Sequence, residues 1–251
     1  MINYIKSELY RSIKNSNLKI MFIIFTVLIV ASVLVLNCMM KVDPTFRYGN
    51  TRFSLGNVYA QMTMIFTVIV AFSAIMNDGE GNNTTKQSIS FGVSRNNIYI
   101  GGFVVQAIVG ILIYTIMSIL LIVLSFLLLE HSNVNEISIF IRVTIGSATC
   151  LLAVLAVTYF FSMNSKSVVG ALTLPIIIMV LIPSVLNIIG RKISLIKSIA
   201  YYLPYNLVGY DSKLVQSQST IGIVLPLIIG LIWLVIFIFG GIYLFNKKEI
   251  K

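Results

Sequence analysis

Glu80, Ser88, Ser94 and Arg95 lie in one polar stretch, Asn77 to Tyr99, between two long apolar blocks. An acid, hydroxyls and a guanidinium at such spacing suit adjustable hydrogen bonds and charge contacts with a partner in water. Gly92-Val93-Ser94-Arg95 reads as a turn. After it an amphipathic helix re-enters the apolar part, with Asn96 or Asn97 as its cap and Gly101-Gly102 as a break before the next span. The stretch suits a place where something outside a membrane pushes on the membrane part. An ordinary solvated loop is the alternative reading.

Other chemistry is scarce. The Walker pattern Gly-x4-Gly-Lys-Ser/Thr is absent, so no P-loop nucleotide site is expected in this chain. Gly79-Glu80-Gly81-Asn82-Asn83-Thr84 lacks the third glycine of a dinucleotide fingerprint and follows no strand. The single histidine, His131, stands beside Glu130 in a short connection and reads as solvated. Cys38 and Cys150 have neither metal-site nor disulfide spacing. The expected spans carry almost no charge. Lys19 stands at the start of the first, and Arg142 lies near enough to a helix end to snorkel outward. Without midplane carboxylates or broken-helix ion sites, an ion-coupled carrier or an intramembrane hydrolase finds little support. If this chain moves something, the energy is expected from a partner.

The elements that must position these residues belong to a bilayer. The chain has 251 residues, 58% of them hydrophobic and 10% charged, with mean hydropathy +0.97, whereas soluble domains carry roughly a quarter charged residues. The expected architecture is all-α: one polytopic membrane domain over 1–251, with six spans at 18–39, 58–76, 103–129, 137–161, 168–189 and 221–245. Each is long enough to cross a hydrocarbon core of about 30 Å. Residues 1–17 read as an interfacial amphipathic helix with Ile2, Ile5, Leu9 and Ile13 on one face, and residues 77–102 as a cytoplasmic segment. With both termini inside, the inner face carries ten Lys and Arg against seven outside. The basic termini favour that orientation. The net charge of +10 then serves membrane lipid rather than nucleic acid.

Residues 190–220 form the longest outer connection. Tyr201, Tyr202, Pro204 and Tyr205 make its centre apolar and aromatic, suited to a re-entrant or interfacial lid. A plain surface anchor is the alternative. Pro175 and Pro183 are expected to kink the fifth span, either to line a pathway or only for packing. Small residues such as Gly146, Ala153, Gly230 and Gly241 mark close helix contacts, within one chain or between two.

Taken together, the six spans, the amphipathic N-terminal helix, the polar turn after span two and the long outer connection resemble ABC-2-type transporter permeases. The local match is Glu80, then Ser88-Ile89-Ser90-Phe91-Gly92-Val93-Ser94-Arg95-Asn96-Asn97-Ile98-Tyr99, where that family has an acid, a helix and a Pro/Gly-x-Ser-Arg turn. The basic close Phe245-Asn-Lys-Lys-Glu-Ile250 is also similar, while Gly101-Gly102 stands near where many members carry a lysine. The resemblance implies a coupling helix within 77–102, with Glu80, Ser88, Gly92, Ser94, Arg95 and Tyr99 meeting a separate cytoplasmic ABC ATPase. Arg95 would bind ATPase carboxylates or lipid phosphate. It further implies a second permease copy as a homodimer, ATP and Mg held by the ATPase and not by this chain, and a bacterial plasma membrane with both termini cytoplasmic. The expected function is that of a non-enzymatic permease subunit exporting amphipathic or cytolytic peptides. The alternative is a secondary carrier or small-molecule-binding membrane subunit.

Overall fold

The computed structural model describes residues 1–43, 45–77, 81–131, 135–165, 168–217 and 224–247. Glu80, Lys166, residues 218–220 of the outer connection and the basic close after 247 lie outside the described residues. Among the described residues there are only helices, apart from one isolated bridge between Asn50 and Glu130. Five helical stretches are long and apolar enough to cross a membrane, the mark of a multi-pass membrane protein.

Helix α1 (Ile2–Lys14) ends at Asn15, whose extended backbone turns the chain and whose side chain accepts the Asn17 and Leu18 N–H groups at the start of α2 (Ser16–Val42). The packed face of α1 differs from the apolar stripe expected. Tyr4, Ile5, Leu9 and Ser12 turn toward the bundle, while Ile2, Tyr10 and Ile13 are exposed. The reason lies on the neighbouring helix, where Gly101 opens a slot for the Tyr4 ring: an added Cβ would sit 2.7 Å from it.

The expected second span is divided. Helix α3 (Thr51–Ala60) is capped by Asn50 and gives way at Gln61 to α4 (Met62–Met76). Thr51, Arg52, Ser54 and Asn57 make α3 too polar for lipid, so it folds inward and buries Thr51, Ser54 and Leu55. The 15 residues of α4 reach about 22 Å, short of a full hydrocarbon core.

A short helix α5 (Gly81–Ser90) precedes α6 (Arg95–Leu128). The break expected at Gly101-Gly102 does not occur, and α6 runs unbroken for 34 residues from a Ser94 cap, not from Asn96 or Asn97. Both glycines serve packing instead. A Cβ on Gly102 would come within 2.5 Å of the Tyr159 hydroxyl.

Helix α7 (Asn135–Asn164) is the hub. Of its most apolar window 61% is buried, against 11–22% for the other four candidate spans. It is therefore ringed by protein, while the others turn large apolar surfaces outward, as lipid-facing helices must. The fifth span is one rod, α8 (Val168–Ile176), a π-helical turn at Ile177–Leu181 and α9 (Ile182–Gly190). Pro175 lies inside α8 and Pro183 in the first turn of α9. A proline clashes with the carbonyl four residues back and offers it no donor. In the π turn the Ile182 N–H reaches Ile177 O instead, so the interruption is taken up without ending the rod. Helices α10 (Ser194–Tyr201) and α11 (Pro204–Ser217) form the long connection that follows α9, and α12 (Val224–Lys247) lies along α7.

Two apolar cores result. One gathers Leu18, Phe72, Ile98, Tyr99, Phe103, Tyr159 and Phe245 at the α1 end. The other gathers Leu55, Phe66, Phe140, Val154, Leu207 and Leu214 toward the opposite end.

Candidate functional site

The polar stretch is built as a helix, a turn and a capped helix start, and its two flanks are bonded to the bundle. Helix α5 ends in a Schellman arrangement: Val93 N–H donates to Ser88 O at 3.0 Å and Gly92 N–H to Ile89 O at 2.9 Å. Gly92 takes the left-handed backbone this requires, with φ +82°. An added Cβ there meets nothing within 4 Å, so only backbone strain opposes a side chain. Gly92→Ala is expected to lower stability by about 1–2 kcal/mol, with Gly92→Asn closer to the parent. Thermal unfolding and hydrogen exchange of α5 check this, and equal midpoints for parent and Ala variant would contradict it.

Ser94 caps α6 by accepting the Asn97 N–H at 3.4 Å. Arg95 Nη1 donates to Asn246 O at 2.9 Å, and Asn246 Nδ2 donates to Asn96 Oδ1 at 2.7 Å. A guanidinium at the carbonyl end of α12 also meets the negative end of that helix. Tyr99 is buried one turn further in, against the rings of Tyr159 (4.9 Å) and Phe245 (5.6 Å). Tyr159 donates to Tyr99 O at 3.0 Å. The Tyr99 hydroxyl has no partner among the described residues and fills the space beside Gly241 of α12. The start of α6 and the end of α12 are thus pinned together.

The other flank is held as well. Asn77 closes α4, and its Oδ1 accepts from Gln106 Nε2 on α6 at 2.8 Å. The Gln106 carbonyl in turn accepts from the Ser73 hydroxyl at 3.2 Å. Gln106 is 2% exposed. Beside it a cleft of about 20 Å³, lined by Glu8, Arg11 and Asn77 among others, has room for about one water. The Glu8–Arg11 ion pair stands at this cleft.

Of the expected coupling residues, Ser88, Gly92, Ser94, Arg95 and Tyr99 therefore fall in one connected run. Ser88 contributes its backbone, Tyr99 points into the core, and Arg95 is engaged by α12. Phe91 was not singled out from the sequence, yet at 85% exposed it is the most prominent apolar group on this turn. Gln106 and Asn246 give no sequence signal either, because a lone amide in or beside an apolar run carries no pattern of its own.

At the opposite end, Tyr201 and Tyr202 are exposed and stack edge to face at 5.5 Å, Pro204 is buried at the start of α11, and Tyr205 meets Phe66 edge to face at 5.6 Å. The connection is a helical hairpin whose α11 is seated on α3 and α7 and whose α10 packs on α9. Two buried acids stand there. Glu136 at the start of α7 accepts from the Thr51 hydroxyl at 2.7 Å, and Asp211 of α11 accepts from the Ser147 hydroxyl of α7. Buried carboxylates were not expected in this chain. Asp211 sits in a polar-looking Tyr-Asp-Ser-Lys run whose sequence signals a solvated loop, and Glu136 was read as lying just outside a span.

No protein-family model matches the chain, and no curated protein matches it.

Proposed function

We propose that this chain is the membrane permease subunit of an ATP-driven exporter of the ABC-2 type, moving amphipathic or cytolytic peptides across a bacterial plasma membrane. In this reading six passes place both termini in the cytoplasm, with α3 and α4 together making the second. Nucleotide and Mg belong to a separate ATPase, and a second permease copy completes the pathway. One observation carries the reading: the polar stretch around α5 is tied on both flanks to the ends of α4, α6 and α12, through Asn77–Gln106 and Arg95–Asn246. A load applied there reaches three helices, whereas a solvated loop would absorb it. The exposed Phe91 supplies an aromatic group of the kind that anchors protein interfaces.

The test is co-purification with the ATPase and its nucleotide turnover in lipid. Arg95→Glu places a carboxylate against the carbonyl end of α12 and is expected to lower ATPase stimulation about tenfold, the equivalent of one hydrogen bond, while Arg95→Lys loses less. Unchanged assembly and stimulation in Arg95→Glu would sink the coupling role. The buried acids favour a second reading, a carrier driven by an ion gradient. Gradient-driven uptake in ATP-free vesicles is the result that would select it.

A further inference from the structure

We propose that Asp211 is a proton-binding site set within the bundle, and that its protonation controls how firmly α11, the inner arm of the α10–α11 hairpin, seats on α7. The inference does not rest on the exporter reading.

Asp211 is 2% exposed. It projects from α11 onto α7 at Ser147, twelve residues after Asn135, about 18 Å along that helix. The carboxyl is thus held against the body of α7 and away from solvent. Val143 and Leu151 lie four residues either side of Ser147, and Leu207, Val208 and Leu214 within four residues of Asp211; all five belong to one apolar core. Its hydrogen-bond partner among the described side chains is a single neutral hydroxyl. An isolated carboxylate in such surroundings takes up a proton instead of staying charged.

The neighbouring titratable groups do not replace a counter-ion. From α7 the group nearby is the Cys150 thiol, and from α10 the Tyr201 phenol. On α11 itself are Tyr205, Tyr210 and the exposed Lys213, while α3 carries the exposed Arg52. Helix α4 and the π turn hold no titratable residue, and Tyr243 and Lys247 of α12 sit at the opposite end. Burial raises the Asp211 carboxyl from 3.8 to about 7, with the Ser147 bond acting the other way.

The step is the loss of one proton from the carboxylic acid to water; the Ser147 O–H bond stays intact. The sign follows from linkage. Between about pH 4 and about 7 the seated hairpin holds more protons at this group than a released one. Seating therefore weakens as pH rises through that window and is level above it. Acid tightens the hairpin and deprotonation loosens it.

Infrared titration of the full chain in lipid nanodiscs tests the site. The expected result is a carboxylic-acid carbonyl band that disappears with a midpoint of about 7 and is missing in Asp211→Asn. Ser147→Ala, which keeps the acid, should move the midpoint upward by about half to one unit. Hydrogen exchange of residues 204–217, corrected for intrinsic rates, should rise severalfold across the same window in the parent and stay level in Asp211→Asn. Should Asp211→Asn not fold, the parent titration and Ser147→Ala still decide. A parent with no band titrating above the ordinary carboxylate range overturns the proposal. So does a band that persists in Asp211→Asn, or a midpoint that follows sodium or potassium concentration. Hairpin exchange that ignores pH overturns the control of seating. None of these readings involves an ATPase or transport, so their outcome is separate from that of the exporter test.

Discussion

Gly230→Val should abolish a stable bundle, while Gly240→Val in the same helix leaves unfolding near that of the parent. At position 230 the α7 backbone itself stands in the way. A Cβ there would lie 2.5 Å from the Thr149 carbonyl carbon and 2.6 Å from the Cys150 nitrogen. No rotamer change relieves a clash with main chain. The two helices would have to part, and with them the bonds from Thr149 Oγ1 (3.1 Å) and Cys150 Sγ (3.3 Å) to Pro226 O. Overpacking of a well-filled core costs about 1–3 kcal/mol when side chains can give way. Here the neighbour is rigid and the helix displaced is the hub, so a loss of about 3 kcal/mol or more is expected. At Gly240 a Cβ meets only Phe160 at 3.8 Å, an ordinary contact. Thermal unfolding and monodispersity in detergent separate the two variants. Equal midpoints would show that α12 does not lie this close to α7.

The second large effect is expected at Glu136. Its carboxylate is fully buried and takes the Thr51 hydroxyl at 2.7 Å. Nearby, Thr51 N–H donates to Glu130 O at 3.0 Å and Glu130 N–H to Gly49 O at 3.2 Å. These bonds fasten the start of α3 to the turn between α6 and α7. Ser54 and Ser125 add a hydroxyl pair at 2.8 Å. Glu136→Ala removes the acceptor and leaves a void, with an expected loss of about 2–4 kcal/mol. Thr51→Val leaves a buried carboxylate short of a donor and should cost a similar amount. Together the two changes should cost clearly less than their separate losses added, because each removes the same interaction. Glu136→Gln keeps an acceptor and falls in between. Strict additivity in the double-mutant cycle would mean that the two groups do not share a bond.

The membrane character was open to reading because a bilayer demands about twenty apolar residues in a row, whatever they pack against. The helix that leads into the second expected span was not. Residues 51–60 mix polar and apolar groups, and only the tertiary partners at Ser125 and Glu136 explain why Thr51 and Ser54 lie inside. Gly101-Gly102 illustrates the same limit. Glycine pairs signal a break locally, but here Tyr4 and Tyr159 occupy the room they leave. Gly92 was legible, since a left-handed turn has few other solutions. Asp211 was not, because a carboxylate in a polar run looks alike whether it faces water or is pressed onto another helix. The polar stretch itself was legible from composition. Its attachment to Asn246, 151 residues beyond Arg95, was not.

The π turn at Ile177–Leu181 has an angular consequence. It holds one residue more than an α-helical turn would, and one residue of α-helix is a rotation of roughly 100°. The faces of α8 and α9 are therefore out of phase by that angle relative to an uninterrupted helix. Met179 and Val180 point inward at the junction, while Leu181 faces out at its end and Val185 and Ile188 face out along α9. Shifting the extra residue along the rod would turn the residues it passes by the same step, like a thread advancing in a screw, with no need to unwind the helix or lengthen the chain.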